Sequence, residues 1–218
     1  MTSPAEAFDV AEQLGRGHDL DMICTRSALA AAPALPEGVL LFLNLCPSTL
    51  GLDGDGNDWL LAAVEHSGLP VERVVIEVTE RFGGRSDSII KCLQRLRTQG
   101  FKIAIDDVGT GNSGLSMLRQ VTVEYVKLDR SIVATASTDP GARAVLTAIV
   151  AFARQTGSFV IAEGIEGDET LDFLDAINAS DAGNLIIQGG QGTVLEGRRP
   201  TSGQSLGCGP ARPSKPPR

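Results

Sequence analysis

Short apolar runs that end in carboxylates or amides recur along this chain. Between them lie stretches with apolar residues every three or four positions. Val39–Leu45, Val74–Thr79, Lys102–Ile105, Tyr125–Leu128 and Phe159–Ala162 read as strands, with Leu185–Ile187 a weaker sixth. The intervening stretches read as helices. They cover Asp58–His66, Ser86–Gln99, a segment opened by Asp139-Pro140, and Asp168–Ile177. In Ser86–Gln99, Ile89, Ile90, Leu93 and Leu96 share one face and Gly100 is the stop. In the helix after Pro140, Val145, Leu146, Ile149 and Phe152 form the apolar side, and Gly157 ends it. Two more helices precede the first strand. One has Ser3 as cap, Pro4 at the first helical position and Glu6 closing a capping box, and it ends near Gly15 or Gly17. The other covers Leu20–Ala31.

Repeated strand–helix alternation predicts an α/β fold with a parallel sheet and helices outside it. Strand spacings of roughly 20 to 36 residues suit successive βαβ units. Residues 1–200 read as one barrel-type domain, and the Pro/Gly/Ser-rich tail 201–218 as disordered.

The strand ends carry the chemistry. Asn44 closes the first, Glu77 and Glu80 the second, Asp106 and Asp107 the third, Lys127 and Asp129 the fourth, and Glu163 the fifth, with Glu166 beyond. In a closed α/β barrel of the TIM type these ends gather on one rim, where such enzymes place their active sites. Each residue alone has a plainer reading. A strand-end acid is commonly a helix cap or a solvated loop residue. Asn44 suits an Asx-turn before Pro47, and Lys127 suits a surface ammonium or a partner of Asp129. Five successive strands ending this way favour a shared metal site. Carboxylates and one amide oxygen make a hard, oxygen-rich pocket. A carboxylate doublet can bridge two cations about 4 Å apart, which clamp the attacking and leaving oxygens of a phosphodiester. A nearby lysine can offset developing charge, and a glutamate can accept the proton of water.

Composition narrows the choice. The net charge of -8 argues against binding a nucleic-acid polymer, although a small phosphate ester remains compatible once cations screen the acids. Two histidines leave no histidine-rich zinc site, so the expected ions are Mg²⁺, Mn²⁺ or Ca²⁺. The four scattered cysteines read as reduced thiols of a cytoplasmic protein. No apolar run is long enough to span a membrane, and the first residues do not read as a signal peptide.

The motifs Leu43-Asn-Leu-Cys-Pro47, Glu77-Val-Thr-Glu80, Asp106-Asp-Val-Gly-Thr-Gly111, Val126-Lys-Leu-Asp-Arg-Ser-Ile-Val133 and Ile161-Ala-Glu-Gly-Ile-Glu166 stand in an order that resembles the EAL domain family. The opening Ser3 to Gly15 is similar to that family's first helix, and the resemblance runs to about Ile187. It implies hydrolysis of cyclic di-GMP to the linear dinucleotide pGpG with Mg²⁺ or Mn²⁺. It also implies that Asn44, Glu77 and Asp106 bind one metal, and that Asp106 bridges to a second ion also held by Asp107. Lys127 would contact the attacking water and Glu163 would act as general base. Glu80 would brace the loop after Asp107, and Glu166 would support the same rim. Gln188 or Gln191 would match the family's substrate-binding glutamine. Family members often pair through the face near the loop after Asp107, so a homodimer is a candidate assembly. Arg81 and Arg130 are candidates for phosphate contact, though each reads first as a surface salt-bridge partner.

This chain departs from the family pattern in three places. The Glu-Ala-Leu signature is absent, and with it a metal-binding glutamate, an arginine expected to touch substrate, and about two N-terminal strands. Val108 and Asn112 replace aromatics, and the segment after Ala179 matches poorly. The expected fold is therefore an incomplete (β/α) barrel, six candidate strands against the eight of a closed one. The expected activity is an impaired cyclic di-GMP phosphodiesterase. Its alternative is an inactive relative that binds the dinucleotide or a protein. A remoter alternative is an unrelated metal-dependent barrel enzyme.

Overall fold

The computed structural model describes residues 4–51, 58–79, 86–109, 114–179, 187–191 and 205–206. The chain divides into two compact units, Met1–Lys127 and Leu128–Arg218. Its core is a parallel sheet flanked by helices, an incomplete α/β barrel of the TIM type.

In the first unit, helices α1 (Pro4–Gln13) and α2 (Gly17–Ala30) precede strand β1 (Leu41–Asn44). The short helix α3 (Pro47–Leu50) and helix α4 (Asp58–Ser67) lead to β2 (Val74–Thr79). Helix α5 (Ser86–Thr98), β3 (Lys102–Val108), α6 (Gly114–Gln120) and the start of β4 (Tyr125–Leu128) complete it. β1 pairs with β2 in parallel from Leu41 opposite Val74 to Asn44 opposite Glu77. β2 pairs with β3 from Val75 opposite Lys102 to Thr79 opposite Asp106. Val74, Val75, Ile76 and Val78 of β2 and Ile103, Ala104 and Ile105 of β3 are wholly buried. A strand covered on both faces carries a continuous apolar run, as Val74–Ile76 and Ile103–Ile105 do. Helix α5 buries Ile89, Leu93 and Leu96, and its Arg95 reaches Asp58 at 2.6 Å.

The second unit holds α7 (Arg130–Thr135), α8 (Pro140–Thr156), β5 (Phe159–Glu163), α9 (Asp168–Ala179), β6 (Ile187–Gln191) and the two-residue β7 (Ser205–Leu206). Asp139 caps α8 by accepting from the Gly141 N–H at 2.9 Å, and Gly157 closes it at φ +75°. β5 pairs with β6 in parallel, with an irregularity after Val160, and β6 pairs with β7.

Several expectations change. α2 begins at Gly17 rather than Leu20, and β1 is shorter than Val39–Leu45. β3 runs on through Asp106, Asp107 and Val108 instead of ending at Ile105. The apolar face of α8 is Ala142, Leu146, Ile149, Val150 and Ala153, whereas Val145 is 37% exposed. α3, α6 and α7 have no counterpart in the periodicity, because four to seven residues carry too few turns to show one. β7 falls inside the segment read as a disordered tail; the rest of that tail lies outside the described residues, as does the Ser3 cap. Among the described residues no helix is long and apolar enough to cross a membrane.

Candidate functional site

Three consecutive strands of the first unit deliver polar side chains at their C-terminal ends, and the register sets them side by side. Asn44 lies opposite Glu77 across the β1–β2 ladder, and its Nδ2 donates to Glu77 Oε2 at 2.8 Å. The Lys127 ammonium approaches Glu77 Oε1 at 2.9 Å and Asp106 Oδ1 at 3.0 Å. Glu77 and Lys127 are buried, Asp106 and Asp107 half-buried, and Asn44 exposed. Asp129 caps α7 by accepting from the Ser131 N–H at 2.8 Å.

The two adjacent aspartates need a special backbone. Along a regular strand, neighbours point to opposite faces. Asp107 breaks the alternation at φ +57°, the left-handed region, which aspartate tolerates better than most residues. Its N–H donates to Asp106 Oδ1 at 3.0 Å, and the following Gly109 continues the turn at φ +108°. As a result a carboxylate oxygen of Asp106 and one of Asp107 lie within 4.8 Å of each other.

Charge and solvation define what this corner can hold. Burial pushes the Glu77 carboxyl above the usual glutamate range. The Lys127 ammonium opposes that rise, Asp106 adds to it, and the Asn44 amide again opposes it. Glu77, Asp106 and Asp107 outnumber the Lys127 ammonium here, and the excess of negative charge suits divalent cations. The donors are oxygens only, and they include an acidic doublet. This set fits a hard divalent ion such as Mg²⁺, Mn²⁺ or Ca²⁺ and not a thiolate- or imidazole-seeking one.

In the second unit, Glu163 is the last residue of β5 and is half-buried. Gly164 follows at φ +69°, with Arg130 packed where its Cβ would stand. Glu166 is exposed in the loop before α9. Gln188 and Gln191 fall on β6, and Gln191 lies opposite Glu163 in the ladder. Glu80 and Arg81 lie outside the described residues.

Two residues near the first-unit corner escaped the sequence reading. Glu124 sits just before β4 and binds the start of β3. Asp21 on α2 is buried, and it accepts from the Cys46 N–H at 2.8 Å and from the Thr49 hydroxyl. An acid among the apolar positions of a helix was the available signal for Asp21. For Glu124 no signal in the sequence marks the contact.

Known proteins match this arrangement. Residues 1–182 match the family described as EAL domain. The probable cyclic di-GMP phosphodiesterase PdeG of Escherichia coli is 34% identical over 178 residues, 79% of this chain and 35% of that protein. The cyclic di-GMP phosphodiesterase NbdA of Pseudomonas aeruginosa is 34% identical over 179 residues, 80% of this chain and 23% of that protein. This chain thus spans about a third or less of these curated relatives. Among solved structures, a manganese and cyclic di-GMP complex of Klebsiella pneumoniae BlrP1 superposes with a TM-score of 0.72 at 33% identity, covering 80% of this chain and 45% of that one. With residues 1–182 matched, most of its length, the chain belongs to the EAL domain family.

Proposed function

We propose that this chain is a cyclic di-GMP phosphodiesterase domain, which opens one phosphodiester of the cyclic dinucleotide to give linear pGpG. One observation carries the reading. Asn44, Glu77, Lys127 and Asp106, from four different strands, are linked in that order by contacts of 2.8, 2.9 and 3.0 Å. Membership of the EAL domain family and the relatives named for this activity support it.

In this reading Asn44, Glu77, Asp106 and Asp107 would hold divalent cations, Mg²⁺ or Mn²⁺, with Asp106 serving both members of a pair. The chemistry those cations supply when bound is charge neutralisation and polarisation at the phosphoryl oxygens. The remaining work falls to side chains. Lys127, held by Glu77 and Asp106, offers ammonium protons that orient the attacking water and offset charge growing on the phosphoryl group. Glu163 accepts the proton that the water loses. Glu166 is the candidate support of the rim, and Gln188 or Gln191 the candidate for recognising the substrate.

The chain contains no Glu-Ala-Leu tripeptide, so the glutamate ligand tied to that signature is not among these residues. Loss of one anionic ligand weakens cation binding and leaves more repulsion between Asp106 and Asp107. We therefore infer slow hydrolysis by this stretch. The same observation favours a second reading, a domain that binds cyclic di-GMP without cleaving it. Incubation with cyclic di-GMP and Mn²⁺, followed by chromatography, separates the two: pGpG supports the enzyme, and binding without product supports the binder. Neither product nor binding would remove both.

A further inference from the structure

Lys127 can work only if β4 stands at the right height along β3. A shift of one residue in a strand turns every side chain to the other face. A shift of two moves it by about 6.6 Å. β4 is four residues long, and the chain just before it is not a strand.

Glu124 adds two bonds to β3 just ahead of β4. Its backbone N–H donates to the Ile103 carbonyl at 3.0 Å, and its Oε2 accepts the Ile103 N–H at 2.8 Å. Both backbone groups of Ile103 are therefore taken by one residue. In an ordinary parallel ladder they would go to two different residues of the neighbouring strand, and here the carboxylate stands in for a carbonyl. The other oxygen, Oε1, accepts from Arg97 Nε at 2.9 Å and Nη2 at 2.7 Å, tying the same carboxylate to the last turn of α5. The spacing connects this to the site. Glu124 precedes Lys127 by the same three positions by which Ile103 precedes Asp106. Anchoring Glu124 at Ile103 fixes where the chain enters β4 beside β3, three residues before Lys127, whose ammonium reaches Asp106.

We propose that Glu124 is a positioning residue that sets the height of β4 on β3 and so places Lys127 between Glu77 and Asp106. It touches no substrate and acts through Lys127; its effect on catalysis rests on the reading of Lys127 given above. An exposed ion pair with Arg97 alone would be worth little, so the bond to the Ile103 N–H is the part that matters. Gln retains an oxygen for that N–H, whereas Ala does not.

The test compares Glu124→Ala and Glu124→Gln by two readouts. The first is the ¹⁵N-detected signal of the Lys127 ammonium in the protein without added metal. The second is kcat and KM for cyclic di-GMP with Mn²⁺. The expected result for Glu124→Ala is a displaced or vanished ammonium signal and a fall in kcat of about 10- to 100-fold with KM within about twofold. Glu124→Gln should recover most of both. Glu124→Met keeps the side chain's bulk and carries the alanine variant's expectation if that variant does not fold. An unmoved ammonium signal in Glu124→Ala or Glu124→Met overturns the proposal, and so do equal losses in the Ala and Gln variants. Should the unaltered chain show no turnover, the phosphodiesterase reading fails while the ammonium signal still decides the role of Glu124.

Discussion

Replacing Lys127 with methionine tests the electrostatics of the site without any ligand. The ammonium lies 2.9 Å from Glu77 and 3.0 Å from Asp106, and the Lys127 and Glu77 side chains are only 8% and 7% exposed. At an effective dielectric constant of about 20, one such pair attracts by roughly 4 kcal/mol or more before the cost of desolvation. Methionine fills the space but leaves two carboxylates without that counter-charge. Breaking a buried pair from one side costs about 3–5 kcal/mol, or roughly 10 °C in melting temperature for a chain of this size. The loss depends on pH. Burial already raises the Glu77 carboxyl and Lys127 holds it back, so without Lys127 it rises further. A carboxyl whose folded value exceeds its unfolded value favours the fold at low pH and loses that benefit as pH rises through the folded value. The deficit of Lys127→Met should therefore be largest at pH 8 and shrink on acidification. Adding Glu77→Gln should restore part of it. Urea unfolding followed by circular dichroism at pH 8 and pH 5, with a chelator present, measures all three proteins. An unchanged midpoint at pH 8, or a deficit that grows toward pH 5, would refute the reasoning.

Three further outcomes follow from particular residues. Asp107→Gly removes both a left-handed non-glycine residue and a carboxylate beside Asp106, so thermal melting should show a gain of up to about 1 kcal/mol while Mn²⁺ affinity falls. Asp21 is raised by burial, so its favourable contribution is complete below its unfolded value and lost as pH climbs through its folded one. Asp21→Asn should match the unaltered chain's urea midpoint at low pH and exceed it near neutrality; parallel curves would count against this. Gly164→Ala meets a left-handed φ and a Cβ position 2.5 Å from the Arg130 Cβ, so calorimetry should show a loss of about 1–2 kcal/mol.

The order of strands and helices was legible because each long element carries its own period. Ile89, Leu93 and Leu96 fall on the buried face of α5 as their spacing requires, and Val74–Thr79 is the strand its apolar run suggests. What tertiary packing decides was harder to read. β3 runs beyond its apolar run because Asp106 and Asp107 stay in the strand and face the site, so polarity did not mark its end. Val145, expected on the apolar side of α8, is exposed, since an apolar residue at the edge of a stripe can face either way. At the site, the identities of Asn44, Glu77, Asp106, Asp107 and Lys127 were readable, but not their contacts. Lys127 had a plausible partner in Asp129 close by in sequence, and its contacts with Glu77 and Asp106 depend on strand register. The turn at Asp107 that brings the doublet together depends on a backbone angle that no residue pattern announces.

In the function proposed above, oxygen atoms from distant segments converge to grip divalent ions. Electron paramagnetic resonance of Mn²⁺ titrated with this protein interrogates that directly. The account predicts that the six-line signal of free Mn²⁺ diminishes as the protein is added and that Asp106→Asn abolishes the effect. Identical signals for the two proteins would contradict it.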